Sequence, residues 1–385
     1  TVLSLGYNGY YQLGNGTNTS SDEFVKVEGL QEKVIAIAAN NLTTYALTEN
    51  GNVYGWGYNS YGQLGINSTA TCYSPVKMQK ISDIIQISAG ENYLVMLDAN
   101  GSVWSVGYNG SGQFGLNNTS NYYLPQKMLS EDGNKILTNI KKVAAGTIHT
   151  LVLTEEGTAY AVGYSGYGQL GNGTNKTQML PVKMIDKDKN VVKNIKDIAA
   201  GYNFNLAVDS NGYVYSWGYN GYGQLGDNST VSRSIPTRIE GLEKIKNVYS
   251  YGNTSMAINE NGEIYVWGYG YNKVPTKLDF YSKAVDIHGK LILAEDGSVW
   301  TLSLNPTKIA GLSNIVEVAS GDNYYAALDT KGRVWVLGYN RYGQLSQANT
   351  SDVDTLTFVK VQKETEYEVL QDIVAVSYTH LTLPT

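Results

Sequence analysis

Histidine is the side chain best suited to bind a metal or transfer a proton near neutral pH, and this sequence has three. They are His149, His288 and His380, which fall in different repeats near the starts of predicted strands. A metal centre needs several ligands that converge on one point, and no spacing indicates a Ser-His-Asp arrangement. We therefore expect structural or solvated histidines, no metal, no cofactor and no enzymatic activity.

Two further patterns resemble sites of chemistry but recur too regularly to be sites. Asp83, Asp197 and Asp286 each occur once per repeat, which favours a role in a turn or at a strand edge over a catalytic pair. The segment 218–223, Gly-Tyr-Asn-Gly-Tyr-Gly, has the glycine spacing of a nucleotide-binding loop. It follows a predicted strand, opens no helix and recurs along the chain, so it does not predict nucleotide binding.

The residues that stand out are tyrosines, of which the chain has 32. They occur in pairs three residues apart, directly after a recurring glycine, in loops rich in Asn, Gly, Ser and Thr. This composition is typical of recognition surfaces, because tyrosine offers a large amphipathic contact at low entropy cost. The candidate binding residues are Tyr58, Tyr164, Tyr219 and Tyr339 as first members, and Tyr10, Tyr61, Tyr167, Tyr222 and Tyr342 as second members.

Packing is the alternative role for these tyrosines. In that alternative, one ring per loop lies over the neighbouring blade and only stiffens the turn. We favour packing for the first member of each pair and exposure for the second member.

Short repeated strands must position these loops. The segment Ser74–Gly115 has apolar runs of four to six residues bounded by turn residues, a pattern of strands rather than helices. We expect four strands per unit, the first beginning at a proline such as Pro75. We expect a left-handed glycine such as Gly90 to join the second and third strands, with Asn40 as its substitute in one unit. We expect a type I′ turn such as Asn100-Gly101 to join the third and fourth strands. The glycine after the last strand recurs at Gly6, Gly57, Gly107, Gly163, Gly218, Gly268 and Gly338, with Ser303 in one degenerate copy.

Four-stranded antiparallel units without helices predict an all-β propeller. Alanines such as Ala144 and Ala199 suit its crowded centre, and Trp56, Trp217 and Trp267 suit the space between blades. Seven complete units lie between about Phe24 and Leu337. With the leftover strands at both termini we expect eight blades, seven being the alternative, and a ring closed by the N-terminal strand.

The eighth blade would combine residues 2–5 with segments 358–361, 373–376 and 378–383. We expect one domain over residues 1–385. Within it, residues 377–385 depart from the repeat and resemble a non-native tail.

The motif Trp217–Gly226, preceded by Ile198–Gly201 and Asn211–Tyr215, resembles the regulator of chromosome condensation repeat family over roughly residues 1–376. Members of that family are usually seven-bladed propellers. They serve as guanine-nucleotide exchange factors, a plant ultraviolet photoreceptor, secreted β-lactamase inhibitors and adaptors. The resemblance therefore implies interaction through a blade face but specifies no partner.

Composition narrows the class of partner. The net charge is −6 and no basic footprint is present, so we expect no nucleic acid partner. No apolar run approaches the length of a membrane helix, so we expect no membrane insertion. The prediction is a monomeric ring that binds a protein or a glycan through its tyrosine-rich loops, from a bacterium, secreted or at the cell surface. A cytoplasmic location, an exchange-type regulator and an architectural module of a larger surface protein are the alternatives.

Overall fold

The computed structural model describes residues 2–40, 42–320, 324–331, 334–338 and 359–360. In this part of the chain every regular element is a β-strand. The chain divides into two compact units, one formed by Thr1–Asp83 and Ser282–Thr385 and the other by Ile84–Tyr281. Tyr339, Tyr342 and His380, and the segments 373–376 and 377–385, lie outside the described residues.

The strands follow one another in short, regular succession. The first unit begins with β1 (Leu3–Gly6), β2 (Ser21–Lys26), β3 (Val34–Ala39), β4 (Thr43–Thr48), β5 (Val53–Gly57) and β6 (Cys72–Lys77). The second unit contains β7 (Ile84–Ala89), β8 (Tyr93–Asp98), β9 (Val103–Gly107), β10 (Tyr122–Lys127), β11 (Ile140–Ala145), β12 (His149–Thr154), β13 (Ala159–Gly163), β14 (Gln178–Lys183), β15 (Ile195–Ala200), β16 (Phe204–Asp209), β17 (Val214–Gly218), β18 (Arg233–Arg238), β19 (Ile245–Tyr251), β20 (Thr254–Asn259), β21 (Ile264–Gly268) and β22 (Thr276–Lys277). The first unit resumes with β23 (Ala284–His288), β24 (Leu291–Ala294), β25 (Val299–Thr301), β26 (Ile315–Ser320), β27 (Tyr324–Asp329), β28 (Val334–Gly338) and β29 (Val359–Lys360).

The described strands form seven antiparallel blades of a β-propeller, which is the alternative count rather than the expected eight. Six sheets have four strands: β3–β6, β7–β10, β11–β14, β15–β18, β19–β22 and β26–β29. The degenerate copy that ends near Ser303 forms the three-stranded blade β23–β25. The strands β1 and β2 pair with each other in a two-stranded sheet, and the segments expected to enlarge that sheet lie outside the described residues.

The strands that make up a blade also differ from expectation, because each blade takes its outermost strand from the following sequence unit. The strand that contains Pro75, β6, pairs with β5 through Tyr54–Lys77 and Gly55–Val76. In the same way β29, expected in an eighth blade, pairs with β28 and completes the seventh. Pro75 also lies inside its strand rather than at its start, which is tolerated because this strand is at the sheet edge and its register is irregular there.

In the six blades where the turn between the second and third strands is described, it is a type I turn followed by a left-handed glycine, not the expected type I′ turn. Gly101 has a φ of +75°, and Asn100 is not left-handed. The Gly101 N–H donates to the Asp98 carbonyl oxygen at 3.0 Å. The Asp98 carboxylate accepts the N–H groups of Asn100 at 3.0 Å and Ser102 at 2.8 Å. This side chain stabilises a turn that needs positive φ at the glycine alone.

Some of the glycines between the first and second strands are left-handed as expected, and others are required for a different reason. Gly252 and Gly289 are left-handed, but Gly90 is not. A Cβ atom at Gly90 would lie 1.9 Å from the ring of Tyr93. The same clash occurs for Gly146 with His149 at 2.0 Å and for Gly201 with Phe204 at 2.1 Å.

Asn40 fits at the corresponding position because the residue three places on is the small Thr43. The Asn40 side-chain oxygen accepts the Thr43 N–H at 3.0 Å. Asn40 is not left-handed, so its role as a substitute for a left-handed glycine is wrong.

The hydrophobic core of the second unit lies between neighbouring sheets. Trp217 of β17 is buried among residues of the preceding blade, including Leu151 and Leu170. Trp56 and Trp267 are also fully buried. The three tryptophans therefore have the packing role that their positions predict.

Side-chain hydrogen bonds connect the innermost strands of neighbouring blades in the second unit. Gln86 of β7 donates its side-chain amide to the Val143 carbonyl of β11 at 3.0 Å and accepts the Val143 N–H at 3.1 Å. Asp197 of β15 accepts the Val248 N–H of β19 at 3.4 Å and pairs with Lys142. These contacts satisfy backbone groups at exposed sheet edges, so Asp197 has the strand-edge role expected of it.

Candidate functional site

Five loops join the last two described strands of their sheets, and all but the loop 108–121 carry candidate tyrosines. Each has 14 residues: 7–20 and 58–71 in the first unit, and 108–121, 164–177 and 219–232 in the second. We call these the tyrosine loops. Their equal length indicates that the five loops share one internal framework.

A buried polar residue in the second position organises each tyrosine loop. Asn59 is fully buried, accepts the Leu64 N–H at 2.9 Å, and donates to the carbonyl oxygens of Ser68 and Ala70, both at 2.9 Å. Asn8, Asn109 and Asn220 accept the equivalent N–H at 2.9, 3.0 and 2.9 Å. These asparagines are therefore part of the loop scaffold and not the recognition groups that their composition suggested.

A glutamine four residues after this position holds the second tyrosine. The Gln169 side-chain oxygen accepts the Tyr167 N–H at 3.0 Å, and the Gln224 oxygen accepts the Tyr222 N–H at 2.9 Å. The same contact occurs at Gln12 with Tyr10 and at Gln63 with Tyr61. Sequence reasoning missed both framework residues, although the constant spacing of Asn and Gln in successive loops was a usable signal.

The next blade fixes the glutamine in turn. The indole N–H of Trp217 donates to the Gln169 carbonyl at 2.9 Å, and that of Trp267 donates to the Gln224 carbonyl at 2.9 Å. In the first unit Trp56 donates to Gln12 at 2.8 Å. The backbone beneath the second tyrosine is thereby tied to a buried side chain of the neighbouring sheet.

In four of the five tyrosine loops the first tyrosine packs over a glycine of its own loop, and in the loop 58–71 this position is Ser60. A Cβ atom at Gly166 would lie 2.1 Å from the Tyr164 hydroxyl, and one at Gly221 would lie 2.1 Å from the Tyr219 hydroxyl. Gly9 and Gly110 have the same relation to Tyr7 and Tyr108. In these four loops a Cβ atom at the glycine would clash with the tyrosine ring.

In the second unit the rings form a continuous row, which we call the tyrosine ladder: Tyr164, Tyr167, Tyr219, Tyr222 and Tyr269. Consecutive ring centroids are 6.2, 4.8, 6.1 and 5.0 Å apart in that order. The interplanar angles lie between 59° and 82°, so each ring meets the next edge-on or tilted, as aromatic pairs prefer. Tyr269 was not among the candidate binding residues; its loop is shorter and has no second tyrosine at the usual spacing.

The first unit contains a smaller group of the same kind. Tyr58 lies 5.8 Å from Tyr10 and 6.4 Å from Tyr61, centroid to centroid. Among the second members, Tyr10, Tyr167 and Tyr222 are exposed at 42%, 40% and 45%, whereas Tyr61 is half-buried. The first members Tyr58, Tyr164 and Tyr219 are half-buried.

Charge is nearly absent from the tyrosine loops. Although 16% of the chain is charged, the five loops contain two charged residues, Lys176 and Asp227. Asp227 pairs with Arg233 of β18. Partial burial acts to raise the pKa of Asp227, but hydrogen bonds from Ser229 and Arg233 outweigh it and lower that pKa. The surface thus offers hydroxyls, amides and aromatic rings with little net field.

His149 is fully buried, and its Nε2 lies 2.8 Å from the Asn205 side-chain oxygen. Burial lowers its pKa to about 4, and the Asn205 contact opposes that effect. His149 is therefore a structural residue, whereas His288 is exposed at the end of β23. Within the described residues, no three His, Cys, Asp or Glu side chains are grouped as a metal site would require.

The described part of the chain contains no helix long and apolar enough to cross a membrane.

Comparison of the sequence with known proteins gives matches over most of the chain. Residues 1–277 match the RCC1-like domain, and residues 315–344 match the regulator of chromosome condensation (RCC1) repeat. The chain is 28% identical to the ultraviolet-B receptor UVR8 of Arabidopsis thaliana over 62% of this chain and 53% of the receptor. It is 29% identical to the human regulator of chromosome condensation over 63% of this chain and 62% of that protein. It is 30% identical to the human probable E3 ubiquitin-protein ligase HERC4 over 62% of this chain and 18% of the ligase. The chain thus spans about half of the receptor, about three fifths of the regulator and under a fifth of the ligase.

Solved structures give matches over nearly the full length. Human WBSCR16 superposes with a TM-score of 0.68 at 23% identity, covering 98% of this chain and 96% of that one. Prp20p of Saccharomyces cerevisiae superposes with a TM-score of 0.65 at 22% identity, covering 94% and 86%. At this identity the likeness establishes the fold.

Proposed function

This chain belongs to the RCC1-like domain family of β-propellers, and from that premise we propose that it is a non-catalytic scaffold that binds a protein or glycan partner through its tyrosine loops. The observation that carries the proposal is the tyrosine ladder. It is a row of partly exposed rings set on a rigid, almost uncharged framework.

Rigidity makes this surface suitable for binding. Association loses affinity when mobile side chains must be ordered at the interface. Here the first tyrosine is held over a glycine, and the second is held by a glutamine that the next blade fixes. Each ring also contacts its neighbours, so a partner would meet a surface that is already ordered.

What relatives bind supports a protein partner. Prp20p of Saccharomyces cerevisiae binds Gsp1p and histones, and yeast RCC1 (Prp20) has been observed bound to Kap60. From these relatives we carry over only the general property of binding a protein partner. We propose that this chain binds its partner as a monomeric ring without a cofactor. The bacterial origin and the secreted or cell-surface location stay predictions. Fractionation of the source cells would test the location.

The experiment compares capture of partners from cell extracts by the wild-type protein and by a variant with Tyr10, Tyr61, Tyr167 and Tyr222 changed to serine. Serine is a suitable replacement because Ser111 occupies the same position in the loop 108–121, where its N–H is also held by a glutamine. Tyr281→Ser is the matched control, since Tyr281 is 90% exposed outside the tyrosine loops.

We expect a partner that the wild type and Tyr281→Ser both retain and that the four-site variant loses. Equal retention by a four-site variant whose thermal unfolding is unchanged would refute the proposal.

A regulator of the exchange-factor type is the second candidate, favoured by the likeness to the regulator of chromosome condensation. It predicts faster nucleotide release from a small GTPase. The five tyrosine loops have equal length, so none of them contains an insertion that could displace a nucleotide from a GTPase. This favours binding without exchange activity over the alternative. Release rates that stay unchanged across a panel of GTPases would eliminate it.

A further inference from the structure

The tyrosine ladder runs in one direction across the loops of three successive blades. It passes from the loop 164–177 through the loop 219–232 to Tyr269 after β21, with no gap larger than 6.2 Å between neighbouring ring centroids. A surface with this outline is a track and not a pocket. It matches an extended chain better than a compact ligand.

The rings present polar groups as well as aromatic faces. Tyr167, Tyr222 and Tyr269 are exposed at 40%, 45% and 60%. Their hydroxyl groups form no hydrogen bond with any residue that the structure describes. Each of the three rings therefore offers an aromatic surface beside a hydroxyl that can donate and accept.

The lack of charge discriminates between classes of partner. About a quarter of the residues of a typical protein are charged, and a charge buried against a surface without a counter-charge is costly. The loops around the ladder contain only Lys176 and the paired Asp227, with Lys273 after Tyr269. An anionic polymer would find only Lys176 and Lys273 as cationic partners for its repeated phosphate or carboxylate groups.

A neutral polysaccharide satisfies all three conditions. Its sugar rings repeat along a line, their C–H faces pack on the electron-rich faces of aromatic rings, and their hydroxyls exchange hydrogen bonds with tyrosine hydroxyls. We propose that the tyrosine ladder binds an uncharged polysaccharide chain lengthwise. This inference rests on the proposed binding function and specifies its partner.

The test is native electrophoresis in gels that contain a soluble polysaccharide. The neutral probes are galactomannan, xyloglucan, mixed-linkage β-glucan and dextran, and the anionic probes are alginate and heparin. The proteins are the wild type, Tyr167→Ser/Tyr222→Ser, Tyr167→Phe/Tyr222→Phe and the control Tyr281→Ser. Thermal unfolding of each variant confirms that it is folded.

We expect at least one neutral polysaccharide to retard the wild type and the control, at low and high salt alike. The serine variant should bind on the order of tenfold more weakly, because two ring contacts are lost. The phenylalanine variant should fall between the two, because it keeps the rings and loses the hydroxyls.

Retardation by none of the neutral probes, equal retardation of the serine variant, or binding only to an anionic probe would overturn the proposal. If the capture experiment still finds a partner that depends on the tyrosines, the binding function stands and only the polysaccharide assignment fails. If capture is also independent of the tyrosines, the binding function fails with it.

Discussion

Changing Ser165 to asparagine should stabilise the loop 164–177. Ser165 occupies the buried position that asparagine holds in the other four tyrosine loops, and its hydroxyl reaches the Thr174 carbonyl only at 3.4 Å. The N–H of the fully buried Leu170, which has an asparagine acceptor in the other loops, forms no hydrogen bond with a described residue. The nine-residue reach from Ser165 to Thr174 equals that from Asn59 to Ser68, so the asparagine should fit.

The gain follows from the hydrogen bonds formed. Asparagine would accept the Leu170 N–H and donate to the Thr174 carbonyl, as Asn59 does with Leu64 and Ser68. Each hydrogen bond contributes about 1 kcal/mol, and more when it satisfies a buried N–H that had no acceptor. Ordering the side chain opposes this by up to about 1 kcal/mol. The expected net stabilisation is about 1–2 kcal/mol.

Hydrogen exchange at the Leu170 amide measures this change directly. Exchange should slow by about tenfold for each 1.4 kcal/mol gained. Asn59→Ser is the reverse variant and should speed exchange at Leu64 by a similar factor. Unchanged exchange at Leu170 together with unchanged exchange at Leu64 would refute the assignment of this position as the organiser of the loop.

Two other buried contacts give predictions of the same kind. Burial holds the pKa of His149 at about 4, below its unfolded value of about 6.5. The unfolded chain therefore binds the proton first, and up to about 3 kcal/mol of stability is lost as pH falls from about 6.5 to 4. The variant His149→Phe introduces the residue that Phe204 provides at the same position of the next blade. Its denaturant midpoint should no longer fall with pH over this range. A pH profile of the midpoint identical to that of the wild type would contradict the structural role of His149. Gly90→Ala should destabilise the chain by about 1–3 kcal/mol, because the new Cβ would meet the Tyr93 ring at 1.9 Å. Adding Tyr93→Thr, by analogy with Thr43, should recover part of that loss in a double-mutant cycle of unfolding free energies, and strictly additive effects would argue against the steric explanation.

Features set by local patterns could be predicted from the sequence. The apolar runs around Ile84, Tyr93 and Val103 form strands because alternation and β-branching act over a few residues. The large apolar Trp217 is buried between sheets as expected. The positions of the tyrosines after the recurring glycines likewise place the candidate surface on one class of loop.

Features that depend on a second residue could not be predicted from those patterns. The turn at Asn100 has its observed type because the Asp98 carboxylate caps it, and Gly90 is required because Tyr93 lies against it. The contact between Tyr167 and Tyr219 joins residues from neighbouring blades, so spacing within one loop could not reveal a continuous ladder. The observed blade boundary lies one strand away from the expected boundary for a similar reason, because a periodic sequence does not show which strands pair with each other.

The displaced boundary bears on how such a chain changes its number of blades. Each sequence unit supplies the outermost strand of one blade and three strands of the next, as β6 does for β5 before β7 begins a new sheet. A tandem duplication one period long therefore adds one complete blade wherever its breakpoints fall, since every strand regains a partner of the same type. The ends of an excised fragment matter more. A cut at a recurring glycine such as Gly57 separates β6 from its sheet, whereas a cut between Lys77 and Ile84 leaves whole sheets on both sides.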